Sequence, residues 1–247
     1  MTQWLLRQVV KLAQYGQGIG RVQADKAALR RLKRSHPPLT VFDVGANNGQ
    51  YLQLALNQLA GRLVSIHAFE PSTVAFEKLQ RRFGHQSEVT LNHFALGSEP
   101  SVQTLYYDVA GSELSSLYPR KIDHHGISFS GSEQVRVETL DNYCASHGIS
   151  HIDLLKLDAE GHELRIIEGA IHMFERAAID LVSFEFGGCN IDSRTFVRDF
   201  FDFFARHGMK LARVTAFGKL HEIQRYEESL EQFRTTCFVA WVSNEPL

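Results

Sequence analysis

Cysteine is scarce. The 247 residues contain three, Cys144, Cys189 and Cys237, and no C-x-x-C pair. That excludes a disulfide framework and a cysteine-based zinc site, and it fits a reducing compartment. No apolar run approaches the roughly 20 residues that a membrane-spanning helix needs. The opening residues Met-Thr-Gln-Trp-Leu-Leu-Arg lack the apolar stretch and small-residue cleavage site of a signal peptide. The expectation is a cytoplasmic chain. Internal repeats and low-complexity tracts are absent. Basic and aromatic residues are not interleaved as in nucleic-acid-binding patches, which sets nucleic acid aside as a partner.

What is present is ordinary in amount but uneven in placement. Hydrophobic residues make up 44% and charged residues 22% of the chain, enough for one large domain or two small ones with a sizeable core. Eight of the 26 Lys/Arg but only one of the 28 Asp/Glu fall in residues 1–40, so this arm carries +7 and the remainder −9. We expect a basic helical arm over 1–36, followed by one domain over 37–247. Trp4, Leu5, Val9 and Leu12 lie near helical spacing. The arm therefore suits packing on its own domain, and equally peripheral contact with an anionic membrane surface.

Beyond His36-Pro37-Pro38, strand and helix patterns alternate. Strands are expected at 39–44, 63–69, 89–94, 102–107, 135–138, 152–158, 179–186, 210–214 and 237–242, and helices at 49–59, 73–83, 141–147, 163–173 and 194–207. Such alternation implies an α/β fold with a mostly parallel sheet covered on both faces. In that architecture ligands bind beyond the carboxyl ends of the strands, where Asp43, Glu70, His93, Asp158 and Glu185 would lie. Residues 108–134 show no period, and a loop of that length in a compact domain suggests a functional lid.

The stretch V41-F-D-V-G-A-N-N-G-Q50 reads as a turn between a strand and a helix. A dinucleotide turn, G-x-G-x-x-G, would need glycine where Asn47 and Gln50 stand, which disfavours a nicotinamide oxidoreductase. The phosphate loop GxxxxGK[ST] is missing, and Asp43 would repel phosphate. A carboxylate there suits a cation, and S-adenosyl-L-methionine carries an ammonium and a sulfonium. Glu70 stands near the twenty-residue offset expected of an acid that accepts hydrogen bonds from ribose hydroxyls.

V41-F-D-V-G-A-N-N-G49, A68-F-E-P71, H93-F-A-L-G97, S115-S116, V137-E-T-L-D141 and L155-K-L-D-A-E-G-H-E163 with E168-G-A170 together resemble the FkbM-type methyltransferases. The resemblance runs from about Thr40 to Glu185 and on to the C-terminus. It implies the Rossmann-like class I methyltransferase fold, with a seven-stranded, mostly parallel sheet and helices on both faces. It also implies methyl transfer from S-adenosylmethionine to a hydroxyl, often on a sugar, glycolipid or natural product. Carried onto this sequence, Asp43, Gly45, Ala46, Asn47 and Gly49 would line the methionine end. Glu70 would hold the ribose, Ala95 and Leu96 would flank the adenine with Pro71 close by, and Asp158 would lie nearest the sulfonium and acceptor.

An alcohol needs help losing its proton, from a base or a metal. Lys156 and Asp158 share a strand face. Gly161 breaks the strand so that His162 and Glu163 turn into the next helix. His162 suits a general base by its ordinary pKa, and Asp158 could orient it or hold the acceptor hydroxyl. Glu160 and Lys156 complete the candidate catalytic set, Lys156 alternatively serving as a structural ion pair. Asp158, Glu160 and Glu185 could bind Mg²⁺, but no histidine pair joins them, and a metal is not favoured. His124-His125 could reach the acceptor from the loop. An N-methylating enzyme would carry Asn/Asp-Pro-Pro-aromatic where Asp158-Ala-Glu-Gly stands, which favours oxygen as the acceptor atom. The alternative reading is a protein of this fold that binds the cofactor, or serves as a scaffold, without catalysis.

Overall fold

The computed structural model describes residues 21–32, 38–215 and 218–242. Helix α1 (Arg21–Leu32) leads into β1 (Leu39–Val44), α2 (Gln50–Gln58), β2 (Val64–Phe69), α3 (Thr73–Phe83) and β3 (Val89–Asn92). The short β4 (Ala95–Leu96) is followed by a hairpin of β5 (Ser101–Tyr107) and β6 (Gly131–Glu138). Then come α4 (Leu140–His147), β7 (Leu154–Leu157), α5 (Glu163–Glu168), α6 (Ile171–Glu175), β8 (Leu181–Phe186) and α7 (Cys189–Ser193). The last described elements are α8 (Val197–Arg206), β9 (Met209–Val214), β10 (Leu220–Ile223) and β11 (Thr236–Val242).

Among the described residues the main sheet has eight strands in the order β10-β9-β11-β8-β7-β1-β2-β3, one more than the seven expected. The extra strand, β10, pairs antiparallel with β9 from within a polar stretch whose composition hides it. Strands β8, β7, β1, β2 and β3 run parallel, and β11 inserts antiparallel between β8 and β9. The α/β class therefore holds, with a second sheet, β4-β6-β5, beside it.

Alternation along the central strands sends side chains into two separate cores. Phe42, Val44, Leu155 and Leu157 meet α4, α5, α6 and the phenylalanine face of α8 on one side. Leu39, Val41 and Leu154 meet α1, α2 and α3 on the other. Ala28 and Leu29 of α1 are fully buried in this second core, and Arg31 lies over the Trp241 ring at 5.3 Å. Residues 1–20 and 33–37, with the rest of the basic arm and its expected membrane contact, lie outside the described residues. Among the described residues, no helix is long and apolar enough to cross a membrane.

Two local departures have clear causes. The helix expected over 163–173 breaks into α5 and α6 at Gly169, where an added Cβ would sit 1.9 Å from the carbonyl oxygen of Gly97. Close approach of two backbones thus accounts for the glycine of Glu168-Gly-Ala170. Strand β6 begins at Gly131, four residues earlier than the sequence pattern indicates, because its outward residues are polar and its inward run is short.

Candidate cofactor and catalytic site

The ends of β1, β2, β7 and β8 open on one edge of the sheet, and the turn after β1 lies at their centre. Gly45 and Gly49 both have φ of +79°, a left-handed conformation that glycine adopts without steric cost. Asn47 is also left-handed, with φ 45°. Asparagine tolerates that region, and here its side chain has a use. Its Nδ2 donates to the carbonyls of Ser112 at 3.3 Å and Gly111 at 3.5 Å, tying the turn to the loop between β5 and β6. Gln50 bonds Glu113 in the same seam.

Glu70, one residue past β2, is buried. Its two oxygens accept the backbone N–H groups of Asn47 at 2.7 Å and Ser72 at 2.8 Å. Each carboxylate oxygen can accept more than one hydrogen bond, so the carboxylate keeps acceptor capacity toward the cleft that it lines. Burial pushes its pKa from an ordinary 4.5 to about 7, against the opposing pull of the two amides.

A cleft of about 60 Å³ runs past Glu70, Pro71, Ala95, Leu96 and His162. On the other side of the turn lies a cavity of about 370 Å³ bordered by Asp25, Ala46, Tyr51 and Lys156. Gly45, Asn47, Glu113 and Asp158 border both. Among the expected cofactor residues, then, Gly45, Ala46, Asn47, Glu70, Pro71, Ala95, Leu96 and Asp158 come together. Gly49 serves from behind, as the residue before α2, packed against Phe83 and Leu79.

Asp43 differs from expectation. It is fully buried and borders neither cavity. In the sheet register Asp43 of β1 stands beside Lys156 of β7, and Lys156 Nζ donates to its Oδ1 at 2.9 Å. The same ammonium lies 3.5 Å from Asp158 Oδ2 and over the Tyr51 ring at 5.1 Å. Asp43 therefore acts on the site through Lys156, and Lys156 is a buried bridge between two carboxylates. The i, i+2 relation of Lys156 and Asp158 was visible in the sequence. The Asp43 partner was not, because it requires knowing that β1 and β7 are neighbours.

His162 is also corrected. Its ring is buried beside Gly97 and Val137, and its Nδ1 meets the Tyr118 hydroxyl at 3.1 Å. Burial, with help from Arg165, lowers its pKa to about 4. A base that weak is poorly matched to a hydroxyl at neutral pH. His162 is a neutral wall of the narrow cleft, with Nε2 unpartnered. His93 points outward and stacks on Phe76 at 4.4 Å.

Glu163 has a role that the sequence reading missed. Its carboxylate accepts the N–H of Ala159 at 2.7 Å and of Gly161 at 3.0 Å, closing the turn that carries Asp158 and Glu160. Burial raises its pKa to about 7. Glu160, left-handed at φ 48°, accepts at Oε2 a hydrogen bond from Arg120 Nη1 at 2.5 Å. Ser116 Oγ donates to the Glu160 carbonyl at 2.8 Å, which ties this part of the loop to the turn after β7. Arg120 carries no local pattern that would have marked it. Oxygens of Asp158, Glu160 and Glu185 lie within 4.8 Å of one another. Lys156 and Arg120 already face this trio.

The raised carboxyls set a pH dependence. Folded pKa values of about 7 against an ordinary 4.5 mean that the folded state holds protons more tightly than the unfolded state. Stability from Glu70 and Glu163 is therefore full below about pH 4.5 and is lost as pH rises through about 7. If Glu70 holds a ribose, as the resemblance implies, that affinity would run the other way, since only the ionised carboxylate offers two acceptor oxygens. We expect S-adenosylhomocysteine to bind up to about tenfold more weakly per unit below pH 7 and to release protons on binding. Titrations at pH 5.5–8.5 in buffers of different ionisation enthalpy read both, and a flat profile would remove Glu70 as the titrating group.

Comparison with known proteins follows this geometry. Residues 43–232 match the methyltransferase FkbM domain. A curated relative, 31-O-demethyl-FK506 methyltransferase FkbM of Streptomyces tacrolimicus, is 28% identical over 169 residues, covering 59% of this chain and 64% of the relative. The crystal structure of methyltransferase FkbM from Methylobacillus flagellatus KT superposes with a TM-score of 0.51 at 14% identity, covering 87% of this chain and 48% of that one. The matches thus span less than two thirds of either relative's length.

Proposed function

The chain belongs to the FkbM methyltransferase family, and on that premise we propose that it transfers the methyl group of S-adenosylmethionine to a hydroxyl oxygen of a sugar, glycolipid or natural product. The observation that carries this reading is the convergence of Gly45, Asn47, Glu70 and Asp158 on one cleft at the carboxyl ends of β1, β2 and β7. The acidic ends fit a cationic amino-acid group, and Glu70 fits a ribose diol. When bound, S-adenosylmethionine supplies a methyl already activated on a sulfonium.

The protein's part is positioning and proton handling. Asp158 borders both halves of the cleft, and its carboxylate accepts a hydrogen bond from the acceptor hydroxyl. With the cofactor bound, the methyl would leave sulfur, which keeps the pair of the broken S–C bond, and Asp158 would take the proton that the acceptor oxygen releases. Lys156 holds Asp158 in place, and Asp43 holds Lys156. Glu163 fixes the turn, and Arg120 holds Glu160 beside it. The loop over 111–116, tied to Asn47 and Glu160, shields the reacting atoms from water. Asp158→Asn should lower turnover by about 100-fold while S-adenosylhomocysteine affinity stays within about threefold. Single-turnover kinetics with hydroxylated acceptors, beside calorimetry, separates the two, and an unchanged rate would remove Asp158 from proton transfer.

A further inference from the structure

Behind the Arg120–Glu160 pair lies a cavity of about 950 Å³, on the far side of the 111–116 loop from the cofactor cleft. Leu114 borders this cavity, while its neighbours Glu113 and Ser115 border the cleft. The two spaces therefore share one wall, and Arg120 is part of it.

The cavity's lining is cationic in a chain whose net charge is −2. Lys121, Arg194 and Arg234 reach it from three separate segments. None of the three makes an ion pair or a side-chain hydrogen bond among the described residues. Arg120, only 9% exposed, is already shared between Glu160 and, at 3.9 Å, Asp192. Among the described residues, Asp192 is the one carboxylate in the lining, so no other carboxylate of this wall offsets the remaining three cations. Arg194 and Phe233 both border the cavity in the left-handed region, at φ 59° and 47°. Such a conformation costs of order 1–3 kcal/mol per residue and gathers at ligand sites. A network behind Arg194 holds it there: Asn190 Nδ2 donates to Thr195 Oγ1 at 2.8 Å, and Thr195 N donates to the Asn190 carbonyl at 3.1 Å. Ile122, Ile127 and Ile191 add an apolar wall.

We propose that this cavity is the acceptor site and that the methyl acceptor is an anion, a hydroxylated molecule bearing a phosphate or pyrophosphate group. This rests on the methyl-transfer reading and deepens it. Three uncompensated cations from three segments match a multiply charged, many-oxygened group better than a single carboxylate. The apolar wall covers the body of the acceptor, and its hydroxyl reaches Asp158 past the Arg120–Glu160 pair. His124 and His125 border the same cavity as exposed side chains, on the acceptor side rather than at the reacting atoms.

The test titrates the full chain, saturated with S-adenosylhomocysteine, with inorganic pyrophosphate and with acetate at low salt. Pyrophosphate should bind at sub-millimolar concentration and acetate should not. The double variant Lys121→Ala/Arg234→Ala should weaken pyrophosphate at least tenfold and leave S-adenosylhomocysteine affinity unchanged, which also shows that it folds. No pyrophosphate binding, or binding that the double variant leaves intact, overturns the proposal while the cofactor reading stands. Failure of S-adenosylhomocysteine to bind overturns that reading instead. Sedimentation with phosphatidylglycerol and phosphatidylcholine vesicles separates the sources. Retention on the former alone, lost in the double variant, assigns a lipid-linked phosphate; pyrophosphate binding without vesicle retention assigns a soluble one.

Discussion

Gly45→Ala should unfold the protein or lower its stability by more than about 3 kcal/mol, whereas Gly61→Ala should cost only about 1–2. The two glycines have nearly the same backbone, φ 79° and 78°, so left-handed strain is common to both. They differ in what a new methyl would meet. At Gly61 nothing lies within 4 Å, while at Gly45 the added Cβ would stand 1.9 Å from the backbone oxygen of Asp158. A carbonyl in a strand end cannot swing aside. Asp158 N also donates to the Val44 carbonyl at 3.0 Å, so relief requires β1 and β7 to part at the point where they hold the site. Thermal unfolding of both variants reads the difference directly. Equal losses would mean that the close approach of turn and strand end is not as described.

Glu70→Ala should weaken S-adenosylhomocysteine binding by about 100-fold or more, with a much smaller effect on folding. Two hydrogen bonds to a charged acceptor contribute about 1.5–3 kcal/mol each, and the ribose diol would lose both. The folding balance is different. Removal leaves the Asn47 and Ser72 amides without their acceptor, but it also ends the cost of a buried carboxylate whose pKa stands near 7. At pH 8 these terms oppose each other, so the unfolding midpoint should move little compared with affinity. Calorimetry and thermal unfolding on one sample decide. An affinity within threefold of wild type would sink the ribose assignment. A collapse of stability together with affinity would show that Glu70 serves the turn alone.

Much of the site was legible because its parts are local. The glycine turn, the acid closing β2 and the Ala95–Leu96 pair each follow a strand by a short, fixed interval, and a parallel sheet gathers such intervals on one edge. What was hidden depends on strand order and on long-range contact. Asp43 looks like a ligand in a one-dimensional reading; β7 beside β1 turns it into a partner of Lys156. His162 looks like a base by its ordinary pKa, until burial beside Gly97 and Tyr118 lowers it. Arg120 sits in a stretch without period, forty residues from the glutamate it holds. Strand β10 escaped notice because its residues are only partly buried and its composition is that of a loop.

The Asp43–Lys156 contact also constrains how the family can diverge. The two codons lie 113 residues apart, yet the side chains share one buried spot. Loss of Lys156 alone strands Asp43 in the core, at about 3–5 kcal/mol, a large part of what a domain has to lose. Loss of Asp43 alone costs less, because Lys156 keeps Asp158 at 3.5 Å. The dependence therefore runs one way. Relatives without the lysine should also lack the acid, whereas the lysine can persist without it.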